Sequence, residues 1–175
     1  AGYRPCKRCR PLGVDEQPQW AAELIAEIET DPARRITERD LIERDLDPAT
    51  VRRHFLRRYG MTFQAFARAF RLSRVLTQIR EGEPIDTAVF ESGYDSHSGF
   101  HDAFVRLFGT TPGATRDRHC VLLSWMQRPL RPLVAGATAE GICLLEFSDR
   151  RMLEAQFVSV KRHFQMPVAP ASNEH

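Results

Sequence analysis

Apolar residues recur at helical spacing over roughly the first two thirds of the chain. They return every three or four positions, with polar residues between them, and so predict a series of amphipathic helices. With their caps, the predicted helices cover Gln19–Asp31, Thr37–Asp45, Asp47–Gly60, Thr62–Gly82, Ile85–Ser92 and Ser96–Gly109. Ser, Thr or Asp begins four of them, as helix N-caps do, and a glycine follows four of them.

Beyond about residue 130 the apolar pattern becomes that of strands. Leu133–Ala137 and Ile142–Phe147 read as two strands, joined by a turn at residues 139–141. Ser148 and Asp149 are predicted to cap a helix that reaches about Phe164. The residues after this helix are expected to form a polar, proline-containing tail. The C-terminal part therefore has a predicted β-β-α order.

The helical part contains an internal repeat. Val51 to Thr62 matches Phe100 to Thr111 in apolar pattern at a constant offset. With the register shifted by one, Leu41, Ile42 and Leu46 also match Val89, Phe90 and Tyr94. Each copy consists of a short helix, a tight turn and a longer helix, which is helix-turn-helix anatomy; the second helix of such a motif can enter the DNA major groove. The helix between the copies, Thr62 to Glu81, is about 30 Å long, close to the roughly 34 Å of one DNA turn. DNA binding is favoured over the alternative, an ordinary helical bundle with a connector.

Charge separates the two copies of the repeat. The whole chain carries a net charge of only +2. Residues 34–80 contain twelve arginines, no lysine and five acids, a local charge of +7, whereas residues 81–118 sum to −4. Arginine suits phosphate and base contacts, although a solvated helix surface with ordinary ion pairs is the alternative.

Composition narrows the class of protein further. A hydrophobic fraction of 42% is enough for a folded core. The chain has no apolar run long enough to span a bilayer, so no membrane contact is expected. Its four cysteines do not suggest a disulfide framework, which favours a reducing cytoplasm.

Two stretches, VRRHFLRRYGMTFQAFARAFRLSRV and ESGYDSHSGFHDAFVRLFGTTPGATR, resemble the AraC/XylS family of transcription activators. The resemblance covers about Trp20 to Arg116. It implies two helix-turn-helix motifs joined by a long helix, in a monomer that reads two adjacent half-sites of promoter DNA. On that pattern the DNA-facing positions are Ala49, Thr50, Arg52 and Arg53 in the first recognition helix and His97, Ser98, His101 and Asp102 in the second.

The side chains at these positions suit base and phosphate contacts. Arg52 or Arg53 can bind guanine O6 and N7 in a bidentate way. Arg57 and Arg58 are expected to contact phosphates, which position a protein without specifying sequence. Asp102 is a departure, because a carboxylate repels phosphate unless it accepts from cytosine N4. The first motif is therefore expected to supply most of the affinity.

Two pairs of residues have the spacing of metal ligands. Cys6 and Cys9, in RPCKRC just upstream of the AraC-type stretch, resemble the Ada family of DNA-alkylation response proteins. The resemblance implies a zinc domain with four cysteines, of which these supply two. Zinc is expected only if the upstream half of the site is present; the alternative is a disordered basic arm touching phosphate. His97 and His101 are four apart, but groove contact or solvent exposure is favoured over metal binding.

The β-β-α segment resembles the start of the alkylguanine methyltransferase domain, which is ribonuclease-H-like and follows the AraC module in Ada proteins. Alkyl transfer there needs an activated cysteine in a Pro-Cys-His-Arg context, and this sequence contains none. Cys143, between apolar neighbours, is expected to be buried and inert, and Cys120 to be a linker cysteine. No catalytic residue is predicted.

The sequence thus predicts a mainly α chain in three parts. They are a remnant of an Ada zinc domain in residues 1–18, an AraC-type DNA-binding domain in 19–118 and a partial methyltransferase N-terminal domain in 119–175. The predicted function is a sequence-specific DNA-binding transcription regulator of the DNA alkylation response, with RNA polymerase as a further partner. One alternative is a methylated-DNA–protein-cysteine methyltransferase (a DNA repair enzyme) whose acceptor cysteines lie outside this chain. The other is a module that contacts RNA polymerase and no DNA.

Overall fold

A computed structural model of the chain describes residues 17–115, 119–126, 132–148 and 152–171. The N-terminal helices are α1 Gln19–Thr30, α2 Glu38–Glu43, α3 Pro48–Tyr59, α4 Phe63–Arg80, α5 Ile85–Glu91 and α6 His97–Phe108, followed by a 3-10 turn at Pro112–Ala114. The C-terminal elements are β1 Val121–Met126, β2 Leu133–Thr138, β3 Gly141–Phe147, α7 Leu153–Phe164 and β4 Val168–Pro170.

Local capping explains where the helices of the first motif begin and end. The Asp47 side chain accepts from the backbone N–H groups of Ala49 and Thr50, and Pro48 occupies the first helical position. Gly60 ends α3 in the left-handed region, with φ of +70°, which costs a glycine little. The capping and glycine signals therefore confirm the predicted bounds of this helix.

The second motif repeats these features, as the sequence repeat predicts. Ser96 accepts from the N–H of Gly99 at the start of α6, and Gly109 ends that helix with φ of +67°. Between the motifs, α4 has 18 residues and is about 27 Å long. It is slightly shorter than predicted, because its last helical residue is Arg80 and Glu81 is its C-cap.

Each motif has its own apolar core, and α4 contributes to both. Phe66 and Phe70, in the first half of α4, pack in the first core with the α3 residue Phe55. Leu76 and Ile79, in the second half, pack in the second core with the phenylalanines of α6. Both motifs are thereby fixed to one continuous helix.

The strands form one sheet in the order β3-β2-β1-β4. β2 pairs antiparallel with β1 and β3, and β4 pairs parallel with β1 through Val121–Leu123. The two predicted strands and their turn are confirmed, but β1 was not predicted. The prediction of an irregular tail after α7 was wrong at Val168–Pro170, which forms β4. Among the described residues α7 begins at Leu153, later than predicted; Asp149 lies outside them.

Several apolar positions differ from expectation. The helical pattern predicts that Leu41 and Ile42 of α2 both face the core, but Ile42 is 62% exposed, and this helix of six residues buries Leu41 alone. Cys120 is not a linker cysteine: it is buried in the second core. Cys143 is only partly buried and donates through Sγ to the carbonyl of Gly136 at 3.4 Å.

Within the described part of the chain, no helix combines the length and the apolar character that crossing a bilayer requires.

Candidate nucleic-acid interface

The first recognition helix, α3, presents its predicted residues to solvent. The inward side of this helix carries Val51 and Phe55, which are 2% and 0% exposed. All four residues predicted to read bases are exposed: Ala49, Thr50, Arg52 and Arg53. The geometric requirement that the two arginines lie outside the core is therefore met.

A short hydrogen-bond chain holds Arg53 along the first turn of α3. Arg53 Nη2 donates to Thr50 Oγ1 at 2.9 Å, and the Thr50 hydroxyl donates to Asp47 Oδ2 at 2.6 Å. Arg53 Nη2 also lies 3.9 Å from Asp47 Oδ2. The hydrogen bond from Thr50, together with the capped backbone amides, lowers the pKa of Asp47. The guanidinium of Arg53 is therefore held in an ordered position on the exposed side of α3.

The prediction made for Arg58 requires a correction. It was predicted to contact a phosphate, but it is buried with only 4% of its surface exposed. Arg58 follows Val51 by seven positions, two helical turns, and so lies on the inward side of α3. It is adjacent to Tyr59, a tyrosine whose pKa is raised by burial. Arg57, in contrast, is exposed, and its contact with a phosphate stays a prediction.

The second recognition helix, α6, also exposes the residues assigned to it, namely His97, Ser98, His101 and Asp102. The side chains form mostly local contacts. His101 Nδ1 lies 3.6 Å from Asp102 Oδ1, and His97 Nδ1 lies 3.9 Å from Asp86 Oδ1.

The described residues contain no cluster of three or more histidine, cysteine or acidic side chains arranged as metal ligands. His97 and His101, although each lies near an aspartate, belong to no such cluster within that part of the chain. The predicted zinc ligands Cys6 and Cys9 lie outside the described residues. Zinc binding stays a prediction.

A groove of about 680 Å³ lies between the two motifs. Its walls come from the start of α2, the polar side of α4 and one side of α6, and include Arg35, Glu38, Gln64, Arg68, Arg71, Asp102 and Arg106. A second depression, of about 410 Å³, borders α3 at Ala49 and Arg52 and shares Glu38 and Gln64 with the groove. Ala49 and Arg52 of α3 and Asp102 of α6 therefore border two adjoining depressions that share a wall.

The groove is positively charged. Arg71 is buried and donates through Nε to the Pro32 carbonyl at 2.6 Å; burial, and then the nearby cations Arg35 and Arg68, lower its pKa. Arg35 forms an exposed ion pair with Asp95 at 3.0 Å.

Two cations of this groove were missed by the sequence analysis. In the part of the chain that the structure describes, Arg68 and Arg106 form no hydrogen bond or ion pair. Both side chains are therefore available to an anion. Arg68 belongs to the basic block at residues 34–80 but was not singled out within it, while Arg106 belongs to a block of net negative charge.

Comparison with known proteins assigns the central segment. Residues 44–118 match the family model described as a helix-turn-helix domain. The segment is thus similar to helix-turn-helix domains of the AraC type. The matched residues contain α3 to α6, and thus both predicted recognition helices and three of the four groove arginines named above.

Two relatives are similar to a longer part of the chain. The bifunctional transcriptional activator/DNA repair enzyme Ada of Escherichia coli is 26% identical over 159 residues, which cover 85% of this chain and 44% of that protein. The regulatory protein ada of Salmonella typhimurium is 27% identical over 116 residues, covering 63% of this chain and 32% of that protein. The resemblance to Ada-type proteins is thereby confirmed, and the chain spans less than half the length of these relatives. No solved structure matches it significantly.

Proposed function

We propose that this chain is a sequence-specific DNA-binding transcription regulator that reads two adjacent major grooves. The observation that carries the proposal is that the basic groove, bordered by Asp102 of α6, shares Glu38 and Gln64 with the depression bordered by Ala49 and Arg52 of α3. Two recognition helices whose exposed residues lie on one side of the protein can contact one side of a duplex. The 18 residues of α4, which connects the two motifs, span a length near one turn of DNA.

Each charged residue of this surface has a distinct role in the proposal. Arg52 and Arg53, at the start of α3, contact base edges, where an arginine distinguishes guanine. Arg68 and Arg106 bind the phosphates of the DNA between the two half-sites, because they face the groove between the motifs. These phosphate contacts add affinity without adding sequence preference. Asp102 accepts from a cytosine N4 rather than approaching phosphate.

The regulated process is inferred from the relatives. Both matched proteins are named Ada, and one is named as a transcriptional activator and DNA repair enzyme. We therefore assign the chain to control of the DNA alkylation response, acting as a monomer on promoter DNA beside RNA polymerase. Methyl transfer to Cys120 is not favoured, because burial raises the pKa of that thiol and so keeps it in the unreactive protonated form.

The test is binding of the whole chain to a duplex selected from a random library, measured at several salt concentrations. We expect log K to fall linearly with log salt, with a slope of about −0.9 for each phosphate contact. Arg68→Ala and Arg106→Ala should each reduce the magnitude of that slope by about 1, equally on selected and random duplexes. Arg162→Ala, an exposed arginine of α7, is the control. A wild-type slope near zero would refute the proposal.

A further inference from the structure

The C-terminal sheet packs against the core of the first helix-turn-helix motif. Trp125, on β1, has its ring centroid 5.4 Å from that of Tyr59 and 5.5 Å from that of Phe66. Tyr59 is the last residue of α3, and Phe66 lies one turn into α4. Trp125 lies outside the segment matched by the helix-turn-helix model, so residues beyond the AraC-type domain contact the end of its first recognition helix.

Helix α7 makes a second contact at the same place. A Cβ atom placed on Gly60, which ends α3, would lie 2.8 Å from Phe157 Cε2 and 3.2 Å from Leu153 Cγ. The glycine therefore permits α7 to approach the backbone at the end of α3 more closely than any other residue would. Met61, the next residue, packs against both the first core and the core of the C-terminal segment.

The end of the second recognition helix is different. Gly109 ends α6 with nearly the same φ as Gly60, but a Cβ there would meet no atom within 4 Å in the described structure. The C-terminal segment does reach the second core, through Ala169 of β4 and through Cys120, the residue before β1. Among the described residues, however, only α3 of the two recognition helices has a helix seated directly against its end.

We propose that the C-terminal segment, through Trp125 and α7, positions the first recognition helix on DNA. The helix has 12 residues, about 18 Å, and Arg52 and Arg53 lie about 10–12 Å along it from Gly60. A small change of angle at Gly60 therefore displaces both arginines. Phe157 and Trp125 are positioning residues, since they touch α3 and α4 and act on DNA only through them. The predicted effect on DNA binding rests on the proposed function. The predicted effect on the position of α3 rests only on the contacts described above.

The variant Phe157→Ala tests the inference, with Val158→Ala as the matched control, because Val158 is on the same helix and 63% exposed. Each is titrated against three selected duplexes: one with both half-sites, one with only the first and one with only the second. Phe157→Ala should weaken binding at least fivefold wherever the first half-site is present, and less than twofold on the duplex that keeps only the second. Val158→Ala should change none of the three.

Hydrogen exchange gives a readout that needs no DNA. In Phe157→Ala the amides of α3 should exchange at least tenfold faster, while those of α6 keep their rates. Phe157→Leu should restore most of both properties. If Phe157→Ala does not fold, Trp125→Leu, which removes the ring contacts to Tyr59 and Phe66, takes its place with the same expected losses. Equal loss on all three duplexes, or unchanged exchange in α3, would overturn the inference. Failure of the proposed function is separate, because it would appear as absence of DNA binding by the wild-type chain.

Discussion

Arg53 Nη2 donates to the hydroxyl of Thr50 one helical turn before it, at 2.9 Å, and that hydroxyl in turn donates to Asp47. The residue that caps α3 thus also orients the arginine with which the helix is proposed to read DNA. The side chain of Arg53 remains 71% exposed. Its guanidinium can therefore exchange the hydrogen bond with Thr50 for hydrogen bonds to a guanine without the loss of a buried contact.

The first prediction concerns this arginine. Arg53→Ala should weaken binding to a selected duplex by roughly 1–3 kcal/mol and binding to random duplexes by much less. The reason is that a bidentate arginine contributes to base discrimination. Fluorescence titration against both duplexes measures the difference. Arg39→Ala is the control, since Arg39 is exposed and pairs with Glu43 on α2. An equal loss on both duplexes would show that Arg53 does not read bases.

The second prediction is a pH dependence at the junction of α1 and α2. Glu27 accepts two hydrogen bonds from Arg44, at 2.6 and 3.0 Å. Arg44 chiefly, with a smaller contribution from Arg34, holds the pKa of Glu27 below the ordinary value of 4.5. A lowered folded-state pKa stabilises the fold above pH 4.5, and this contribution disappears as the pH falls through the lower value.

Glu27→Gln should therefore lower the free energy of unfolding by about 1 kcal/mol at pH 7 and by progressively less below pH 4.5. Urea unfolding at pH 7, 4.5 and 3 measures this. Glu43→Gln serves as the comparison, because its ion pair with Arg39 is far more exposed. A destabilisation that is constant across this pH range would contradict the assignment.

The third prediction compares two glycines with the same backbone conformation. Gly93 and Gly109 have φ of +68° and +67°, so alanine at either position costs about 1–2 kcal/mol in backbone strain. A Cβ on Gly93 would also lie 2.5 Å from the Ala33 carbonyl oxygen, whereas one on Gly109 meets nothing within 4 Å. Gly93→Ala should thus be more destabilising than Gly109→Ala by about 2 kcal/mol. Thermal unfolding of the two variants decides this, and equal losses would mean that Ala33 does not restrict the turn.

The fourth prediction concerns thiol reactivity. Cys120 is buried beside Arg80, and burial raises its pKa despite the nearby cation. Its alkylation by iodoacetamide should be at least tenfold slower in the native protein than in urea. Site-resolved mass spectrometry reads Cys143 in the same sample, and this partly buried thiol should show the smaller ratio. Rapid native labelling of Cys120 would show that the second core is open there.

Local signals in the sequence predicted most of the helical part. A capping residue and a terminal glycine bracket α3 and α6, and both are short-range features that tertiary structure seldom overrides. The exposure of Arg52 and Arg53 followed from the same helical period. The same period also places Arg58 on the inward side of α3. The sequence analysis nevertheless predicted an exposed position because the side chain is charged, and only the packed structure shows that it is buried.

The features that the sequence analysis did not predict depend on contacts between segments far apart in the chain. β4 has three residues and follows a helix, and its pairing with Val121–Leu123 has no local signature. The groove of Arg68 and Arg106 likewise exists only because α4 and α6 come together, 38 residues apart at these positions. The seating of Phe157 against Gly60 is of the same kind.

The central claim, that α3 and α6 occupy successive major grooves on one side of a duplex, is tested most directly by hydroxyl-radical footprinting of the whole chain on a selected duplex. The account predicts two protected patches on the same side of the DNA, centred about 10–10.5 base pairs apart, with the patch of the first half-site weakened in Arg53→Ala. A single patch, or two patches on opposite sides of the duplex, would contradict it.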